Sequence, residues 1–233
     1  MPSLAATVPT PRAVVVSRLR AQVEALETRG RGPVRPVDPL LAPLLPDGGL
    51  KPGAAYCLTS AALLAALLAA PSRDGLWCGI VGLPDFGTEA AALAGVTLER
   101  LALVPAPGDR WLAVVAALGA ALPVVAVRPA GPVRPGDATR LAARLRESES
   151  VLLVVGEWPG AEATLGLDDP RWAGLGEGWG YLTSREVSVW ATSKRYPRPK
   201  SVRVRLPGDN GTLVAAPRAA DESAVRPRLR LAA

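Results

Sequence analysis

The sequence contains no histidine and only two cysteines, and both shortages narrow its chemistry. Without histidine, Ser–His and Cys–His nucleophilic catalysis are excluded, and a zinc site would need carboxylates for most of its ligands. Cys57 and Cys78 lie in apolar, strand-like runs, where a thiol usually behaves as a small buried side chain. We therefore expect no metal site and no disulfide.

Long hydrophobic runs are also missing. The longest follows Ser60, is interrupted by Pro71 and falls well short of the roughly 20 apolar residues that cross a bilayer. The N-terminal residues MPSLAATVPTPR lack the basic flank and apolar core of a secretory signal. We therefore expect a cytoplasmic protein without membrane contact, and 233 residues of 49% hydrophobic composition can form a sizeable core.

The net charge of +6 is concentrated near the C-terminus. Residues 194–233 carry 10 of the 27 basic residues and 3 of the 21 acidic ones, so the rest of the chain is close to neutral. Arginine outnumbers lysine by 24 to 3, a bias that a GC-rich genome can also produce. The location of the charge is therefore more informative than its size.

Short apolar segments alternate with helical patterns from residue 54 onward. The strand segments are rich in β-branched residues, as in parallel strands covered by helices on both faces. The expected strands are Ala54–Leu58, Leu76–Val81, Leu101–Val104, Val124–Val127 and Val151–Val155, and the expected helices are Ala61–Ala69, Thr88–Ala94, Asp109–Ala121 and Asp137–Glu147. The pattern predicts an α/β fold with a mostly parallel sheet.

The pattern changes after Gly156. The stretch Glu157–Tyr181 is long and rich in glycine and tryptophan, which favours a functional or mobile loop. Two alternating strands, REVSVWATS and KSVRVRL, and a short run GTLVAA follow, and they predict an antiparallel extension with one solvated face. Within the first of them, Trp190 is expected to face away from Val187 and Val189.

The N-terminal segment Arg12–Arg29 predicts an amphipathic helix, followed by a Pro- and Gly-rich connection. Its apolar stripe contains Val15, Leu19, Val23 and Leu26 at helical spacing. The stripe could mediate self-association or partner docking, or it could pack on its own domain. The sequence leaves these alternatives open.

The junction between the first strand and its helix contains Thr59 and Ser60 but no glycine or lysine. A phosphate-binding loop needs glycines, so that backbone N–H groups can surround the anion, and a lysine that reaches the outer phosphates. Ser60 is therefore expected to cap the helix. The helix is apolar all round, which predicts burial on every side.

Several segments resemble the core of RecA-type recombinases. They are LLPDGGLKPG before the first strand, GIVGLPDFGTEAAALAGVTLERLALVPAP, ATRLAARLRESESVLLVVGE and the closing REVSVWATSKRYPRPKSVRVRLPG, and the match spans roughly Leu44–Gly208. At the positions of the family's catalytic glutamate and magnesium-ordering aspartate, this chain has Leu83 and Arg128. The resemblance therefore implies a RecA-like fold without the phosphate-binding loop, with no enzymatic activity and no cofactor.

Among non-catalytic RecA relatives, the sequence most resembles the ImuA type, including ImuA-prime proteins, and more distantly the cell-division inhibitor SulA. The resemblance rests on the missing loop, on LERLALVPAPGDRWLAVVAAL, on ATRLAARLRESESVLLVV and on the basic C-terminus. It implies an accessory protein of translesion DNA synthesis in the SOS response. The implied partners are an inactive Y-family polymerase-like protein and an error-prone replicative-type polymerase. The expected division is an N-terminal helix and connection (1–43), a core (44–215) and a basic tail (216–233).

Two functions remain open, with a SulA-like cell-division inhibitor as a more distant alternative. An adaptor would bind partner proteins through its tail, and the candidate tail residues are Arg226, Arg228, Leu229, Arg230 and Leu231. A single-stranded DNA-binding protein would combine stacking aromatics with cations, and the candidates are Trp179, Tyr181, Lys194, Arg195, Arg198 and Lys200. The competing interpretations are core packing for the tryptophans, including Trp158 and Trp172, and a solvated turn for KRYPRPK.

Overall fold

A computed structural model of the chain describes residues 33–176, 179–208 and 211–216. The strands of this part are β1 Ala55–Leu58, β2 Cys78–Val81, β3 Leu101–Val104, β4 Val124–Val127, β5 Val151–Val155, β6 Ala163–Gly176, β7 Trp179–Thr192, β8 Lys200–Arg205 and β9 Val214–Ala215. The α-helices are α1 Ala62–Arg73, α2 Thr88–Leu93, α3 Trp111–Ala121 and α4 Pro135–Glu147, and short 3₁₀ helices cover Ala42–Leu44, Leu98–Arg100 and Gly108–Arg110. The expected α/β alternation is confirmed.

The strands form one sheet in the order β3-β2-β4-β5-β1-β6-β7-β8-β9. In this sheet order, every neighbouring pair from β3 through β2, β4, β5 and β1 to β6 is parallel, whereas the pairs from β6 to β9 are antiparallel. All residues of β1, β2 and β4 are buried, because helices cover both faces of the parallel part. The mostly parallel sheet with an antiparallel C-terminal part is therefore confirmed.

Alternate side chains of the central strands enter two separate cores. Ile80 and Leu153 pack with α1 and α2 on one face, in the larger core. Val125 and Val154 pack with α3 and α4 on the other face. Leu41, which precedes the expected start of the core at residue 44, is fully buried in the larger core. The connection before β1 is therefore part of the packed unit.

Most of helix α1 is buried, as its apolar sequence predicts, but burial on every side is not observed, because Ala62 is exposed and Ala65 is half-buried. The expectation that it ends at Ala69 is wrong, because α1 continues through Pro71 to Arg73. Pro71 lies in the last turn, where its carbonyl oxygen accepts a hydrogen bond from the backbone N–H of Leu76. Within the described residues, no helix is both long and apolar enough to cross a bilayer.

The expectation of a long loop over Glu157–Tyr181 is wrong, because β6 and the start of β7 occupy most of it. Ala163 and Leu165 pack in the larger core, and β6 pairs with β1 on one side and β7 on the other. Gly166, which suggests a loop in the sequence, instead lets Trp190 of β7 pass close to the β6 backbone. A Cβ atom on Gly166 would lie 2.3 Å from the indole ring of Trp190.

Candidate functional site

The carboxyl ends of the parallel strands lie at one edge of the sheet, where open α/β folds bind their ligands. The connection after β2 leads to α2 on one face, and the connection after the neighbouring β4 leads to α4 on the other. Neighbouring connections that diverge in this way open a crevice between them. This edge is therefore the candidate site.

An ion pair bridges the crevice between β2 and β4. Arg128, the first residue after β4, donates from Nη1 to the Oδ1 atom of Asp85 at 2.8 Å. The backbone is equally close, since a Cβ atom on Gly82 would lie 2.6 Å from the carbonyl oxygen of Arg128. Leu83, which follows Gly82, is only 4% exposed and packs in the larger core. The crevice thus presents a guanidinium group and an apolar side chain.

Thr59, Ser60 and Ala61 form the junction between β1 and α1. The backbone N–H of Thr59 donates to the carbonyl oxygen of Leu165 on β6 at 3.0 Å. The hydroxyl oxygen of Ser60 accepts a hydrogen bond from the backbone N–H of Ala62 at 3.3 Å, while Ala61 occupies the N-cap position. The expectation that Ser60 is the N-cap is therefore wrong by one residue, because Ser60 precedes the N-cap Ala61, although its hydroxyl still bonds the first N–H group of α1.

A cavity of about 890 Å³ lies between the connections that follow β4 and β5. The polar side chains in its lining are those of Cys57, Thr59, Glu157 and Thr164. Burial raises the pKa of the Cys57 thiol, which donates to the carbonyl oxygen of Trp158 at 3.9 Å. Trp158 is 6% exposed and belongs to the core beneath α3 and α4, so core packing explains this tryptophan.

A smaller groove of about 300 Å³ lies beside the ion pair, on the face of α1 and α2. Its lining is mostly apolar, and the charged side chains in it are Asp85, Arg128 and Arg185. Arg185 donates from Nε to the carbonyl oxygen of Leu206 at 2.9 Å, and its guanidinium carbon lies 5.4 Å from the centre of the Trp172 ring. Burial lowers the pKa of Arg185.

The basic segment KRYPRPK between β7 and β8 contains one strongly engaged arginine. Arg195 donates to both carboxylate oxygens of Asp47, at 2.8 and 2.9 Å, and to Glu162 at 3.2 Å. Hydrogen bonds to Asp47 and then to Glu162 raise the pKa of Arg195. Arg195 therefore joins the turn to the segment that precedes β1 and to the connection before β6.

Two further side chains fasten the same turn. The Tyr196 hydroxyl donates to the carbonyl oxygen of Leu44 at 2.7 Å. Lys200 donates from Nζ to the carbonyl oxygen of Pro43 at 2.9 Å and lies 4.2 Å from the centre of the Tyr196 ring. Lys194 and Arg198 are exposed, with no hydrogen bond or ion pair in the part of the chain that the structure describes.

The other predicted site residues are described only in part. Trp179 and Tyr181 belong to β7, but the structure does not describe their side chains. The amphipathic helix 12–29 and the tail residues 226–231 lie outside the described residues. Trp172, by contrast, is 54% exposed on β6. The described residues contain no group of three side chains suited to hold a metal ion.

Two comparisons place the chain among known sequences. Residues 43–160 match the family described as the MT3502 N-terminal domain. The chain is also 35% identical over 153 residues to the uncharacterized protein Rv3395c of Mycobacterium tuberculosis, an alignment that covers 63% of this chain and 72% of that protein. The chain belongs to the MT3502 N-terminal domain family.

The MT3502 N-terminal domain match ends at residue 160, just after β5. It includes Asp85 and Arg128, but Arg185 and Leu206 lie beyond it. The smaller groove is therefore built jointly by the matched domain and by the C-terminal strands. Sequence reasoning missed Arg185, although the alternation of REVSVWATS places it on the same side of β7 as the core residues Val187 and Val189.

Proposed function

We propose that this protein is a non-catalytic accessory protein of damage-induced mutagenesis, which holds the components of an error-prone polymerase assembly together. The observation that carries the proposal is the set of residues at the ends of β1, β2 and β4. They are Thr59 and Ser60, the buried Leu83, and Arg128 paired with Asp85. The resemblance to ImuA-type proteins supplies the context of mutagenesis.

The topology supports the likeness to RecA-type proteins. The resemblance to these proteins implies that this chain has a parallel core closed by an antiparallel hairpin. Here the central strand β1 lies between β5 and β6, and β6 to β9 close the sheet in antiparallel order. If the likeness holds, Leu83 after β2 and Arg128 after β4 occupy the strand ends at which the resemblance implies a catalytic glutamate and a magnesium-ordering aspartate.

The charges at this edge argue against phosphoryl transfer. That reaction needs a bound magnesium ion and an acidic or polar group that orients the nucleophile. The guanidinium of Arg128 repels a cation, and its pairing with Asp85 engages the neighbouring carboxylate. Leu83 offers no proton acceptor. The same scaffold remains suited to binding proteins through its surface.

The contacts of the basic turn favour the adaptor over direct binding of single-stranded DNA. Arg195 and Lys200 are held by the protein's own oxygen atoms, so two of the four candidate cations already have partners. Glu157 adds a negative charge to the larger cavity, which opposes a phosphate backbone there. The remaining cations, Lys194 and Arg198, are the two without a partner among the described residues.

A nucleotide assay tests the non-catalytic part of the proposal. Calorimetric titration with ATP and magnesium is expected to show no tight binding, and phosphate release is expected to stay at background with or without single-stranded DNA. A RecA-type ATPase measured in parallel provides the positive control. Micromolar affinity together with magnesium-dependent turnover would contradict the proposal.

A truncation tests the adaptor part. A chain that ends at Ala216 is expected to melt as the full chain does but to lose binding to the Y-family polymerase-like partner, because the tail alone has too few apolar residues to order itself. Two full-length controls, Leu229→Ala with Leu231→Ala and Arg226→Ala with Arg228→Ala, separate apolar from charge contributions. A large drop in melting temperature would show that the tail packs into the fold, and unchanged binding would place docking elsewhere.

The context of mutagenesis is tested in cells. Deleting the gene is expected to lower the frequency of mutations induced by ultraviolet light, and the full chain is expected to restore it while the truncated chain is not. An unchanged frequency of induced mutation in the deletion strain would refute the proposed role.

A further inference from the structure

The smaller groove beside α1 and α2 has an apolar floor that no described element covers. Its volume of about 300 Å³ is at the lower end of the range for ligand pockets, roughly 300 to 1,000 Å³. The apolar lining comes from α1, α2 and the connections that follow β2 and β8, and includes Ala62, Ala65, Phe86, Ala90 and Leu206. Small alanine side chains leave room for a bulky side chain from outside.

Arg185 brings a partly buried positive charge to this groove, and the described residues supply no negative partner for it. Its Nε atom is satisfied by the carbonyl oxygen of Leu206, and its flat face lies against Trp172. Within the described chain no carboxylate pairs with its guanidinium group, and burial lowers its pKa. A partly desolvated guanidinium without a counter-ion is unfavourable, and a carboxylate from outside would relieve this cost.

Arg128 supplies a second guanidinium group to the same lining. Its partner Asp85 is 68% exposed, and an exposed ion pair contributes little free energy. Asp85 can therefore be exchanged for another carboxylate at small cost. With two arginines and one aspartate, the described lining has a net positive charge.

We propose that this groove is a docking site for an acidic peptide of a partner protein, which inserts a bulky apolar side chain onto the alanine floor and places a carboxylate against Arg185. The inference does not rest on the function proposed above. The exposed Trp172 extends the apolar wall on the Arg185 side. The chain's own residues 217–233 are an unsuitable occupant, because four arginines and two acidic residues give them the same sign of charge as the groove.

A peptide selection tests the proposal without assuming a partner. A display library of random 12-residue peptides is selected on the full chain and depleted on Ala90→Trp, a variant that fills the groove from the exposed surface of α2. Peptides enriched on the wild-type chain are expected to carry a leucine, phenylalanine or tryptophan next to aspartate or glutamate. The absence of groove-dependent peptides, or enrichment of basic ones, would overturn the proposal.

Fluorescence anisotropy with the strongest selected peptide then assigns the contacts. Arg185→Gln and Ala90→Trp are each expected to weaken binding by about tenfold or more, whereas Arg140→Gln, an exposed arginine on α4, leaves it unchanged. Replacing the aspartate or the bulky residue of the peptide gives the same losses and needs no change in the protein. Equal affinity for the Arg185→Gln chain would exclude the carboxylate contact.

Two further measurements identify the wrong occupants. If the Ala90→Trp variant bound a dT20 oligonucleotide more weakly than the wild-type chain does, the groove would be a nucleic-acid site. Self-association in sedimentation that Ala90→Trp abolishes would assign it to a second copy of the chain. Either result would refute an acidic peptide as the occupant. We expect that the oligonucleotide does not displace the peptide. We also expect the wild-type chain and Ala90→Trp to have the same sedimentation coefficient.

Discussion

Replacing Arg195 with alanine is expected to destabilise the fold by about 2 kcal/mol, because this residue joins three separate segments of the chain. Its guanidinium group binds Asp47 through two hydrogen bonds and Glu162 through a third. The two carboxylates precede β1 and β6, respectively. Removing the arginine therefore affects the fold as well as the surface charge.

The magnitude follows from the exposure of the three side chains. Arg195 is 40% exposed, so each ion pair has a surface value of roughly 0.2 to 1 kcal/mol. The Asp47 and Glu162 side chains are only 16% and 21% exposed, and leaving these carboxylates without their cation adds about 1 kcal/mol. For a domain of this size, 2 kcal/mol corresponds to a decrease in Tm of about 4–8 °C.

Thermal melting followed by circular dichroism measures this effect, and Arg198→Ala is the matched control. Arg198 lies three residues further along the same turn and has no described partner, so its replacement is expected to change stability by less than about 0.5 kcal/mol.

If Lys194 and Arg198 contact phosphates, replacing both lowers the salt slope of dT20 binding by about 1.4. This double variant is a cleaner test of DNA binding than one that also removes Arg195 and Lys200.

A melting curve of Arg195→Ala identical to that of the wild-type chain would contradict this stabilising role of Arg195. If the same variant also lost affinity for dT20 and showed a weaker salt dependence, then Arg195 would contact phosphate rather than maintain the fold. The turn would in that case be a nucleic-acid interface, and its contacts would no longer favour the adaptor over direct binding of single-stranded DNA.

Two other outcomes are expected. Gly166→Ala should lower the free energy of unfolding, measured by urea denaturation, by roughly 1–3 kcal/mol, because its Cβ would lie 2.3 Å from the Trp190 ring. The control Gly136→Ala should not destabilise the protein, because a Cβ atom there would have nothing within 4 Å. Equal stabilities of the two variants would contradict the close packing at Gly166. Cys57 and Cys78 should resist a thiol reagent at pH 8 in the native state, because burial raises the pKa of Cys57 and raises that of Cys78 to about 12, so the thiolate is scarce. Cys57, which lines the larger cavity, should react first, and rapid labelling of Cys78 without denaturant would disprove its burial.

Strands of the parallel part could be predicted from the sequence because their signals are local. Leu101–Val104, Val124–Val127 and Val151–Val155 have the predicted bounds, since each is a short apolar run between helical patterns. Strand β6 could not be predicted in the same way. Its glycines, proline and tryptophan are typical of loops, and it becomes a strand through pairing with β1 and β7.

The candidate site shows the same division. The sequence identified the cations of KRYPRPK but not their partners, because Asp47 lies 148 residues from Arg195. It placed Leu83 and Arg128 after their strands but did not predict the ion pair of Arg128 with Asp85. Arg185 received no functional role, since its neighbours in space come from β6, from the connection after β8 and from the helices α1 and α2.

The α/β alternation, the burial of most of α1 and the lack of glycine at the junction of β1 and α1 could all be read from the sequence. These properties depend on the apolar pattern and on residue type, both of which act over a few neighbouring positions. The pairing of charges, in contrast, depends on contacts between distant segments and is visible only in the folded chain. The guanidinium groups of Arg195 and Arg185 have the same local chemistry. Arg195 pairs with a carboxylate of the chain and Arg185 bonds a backbone carbonyl oxygen, because different elements surround them.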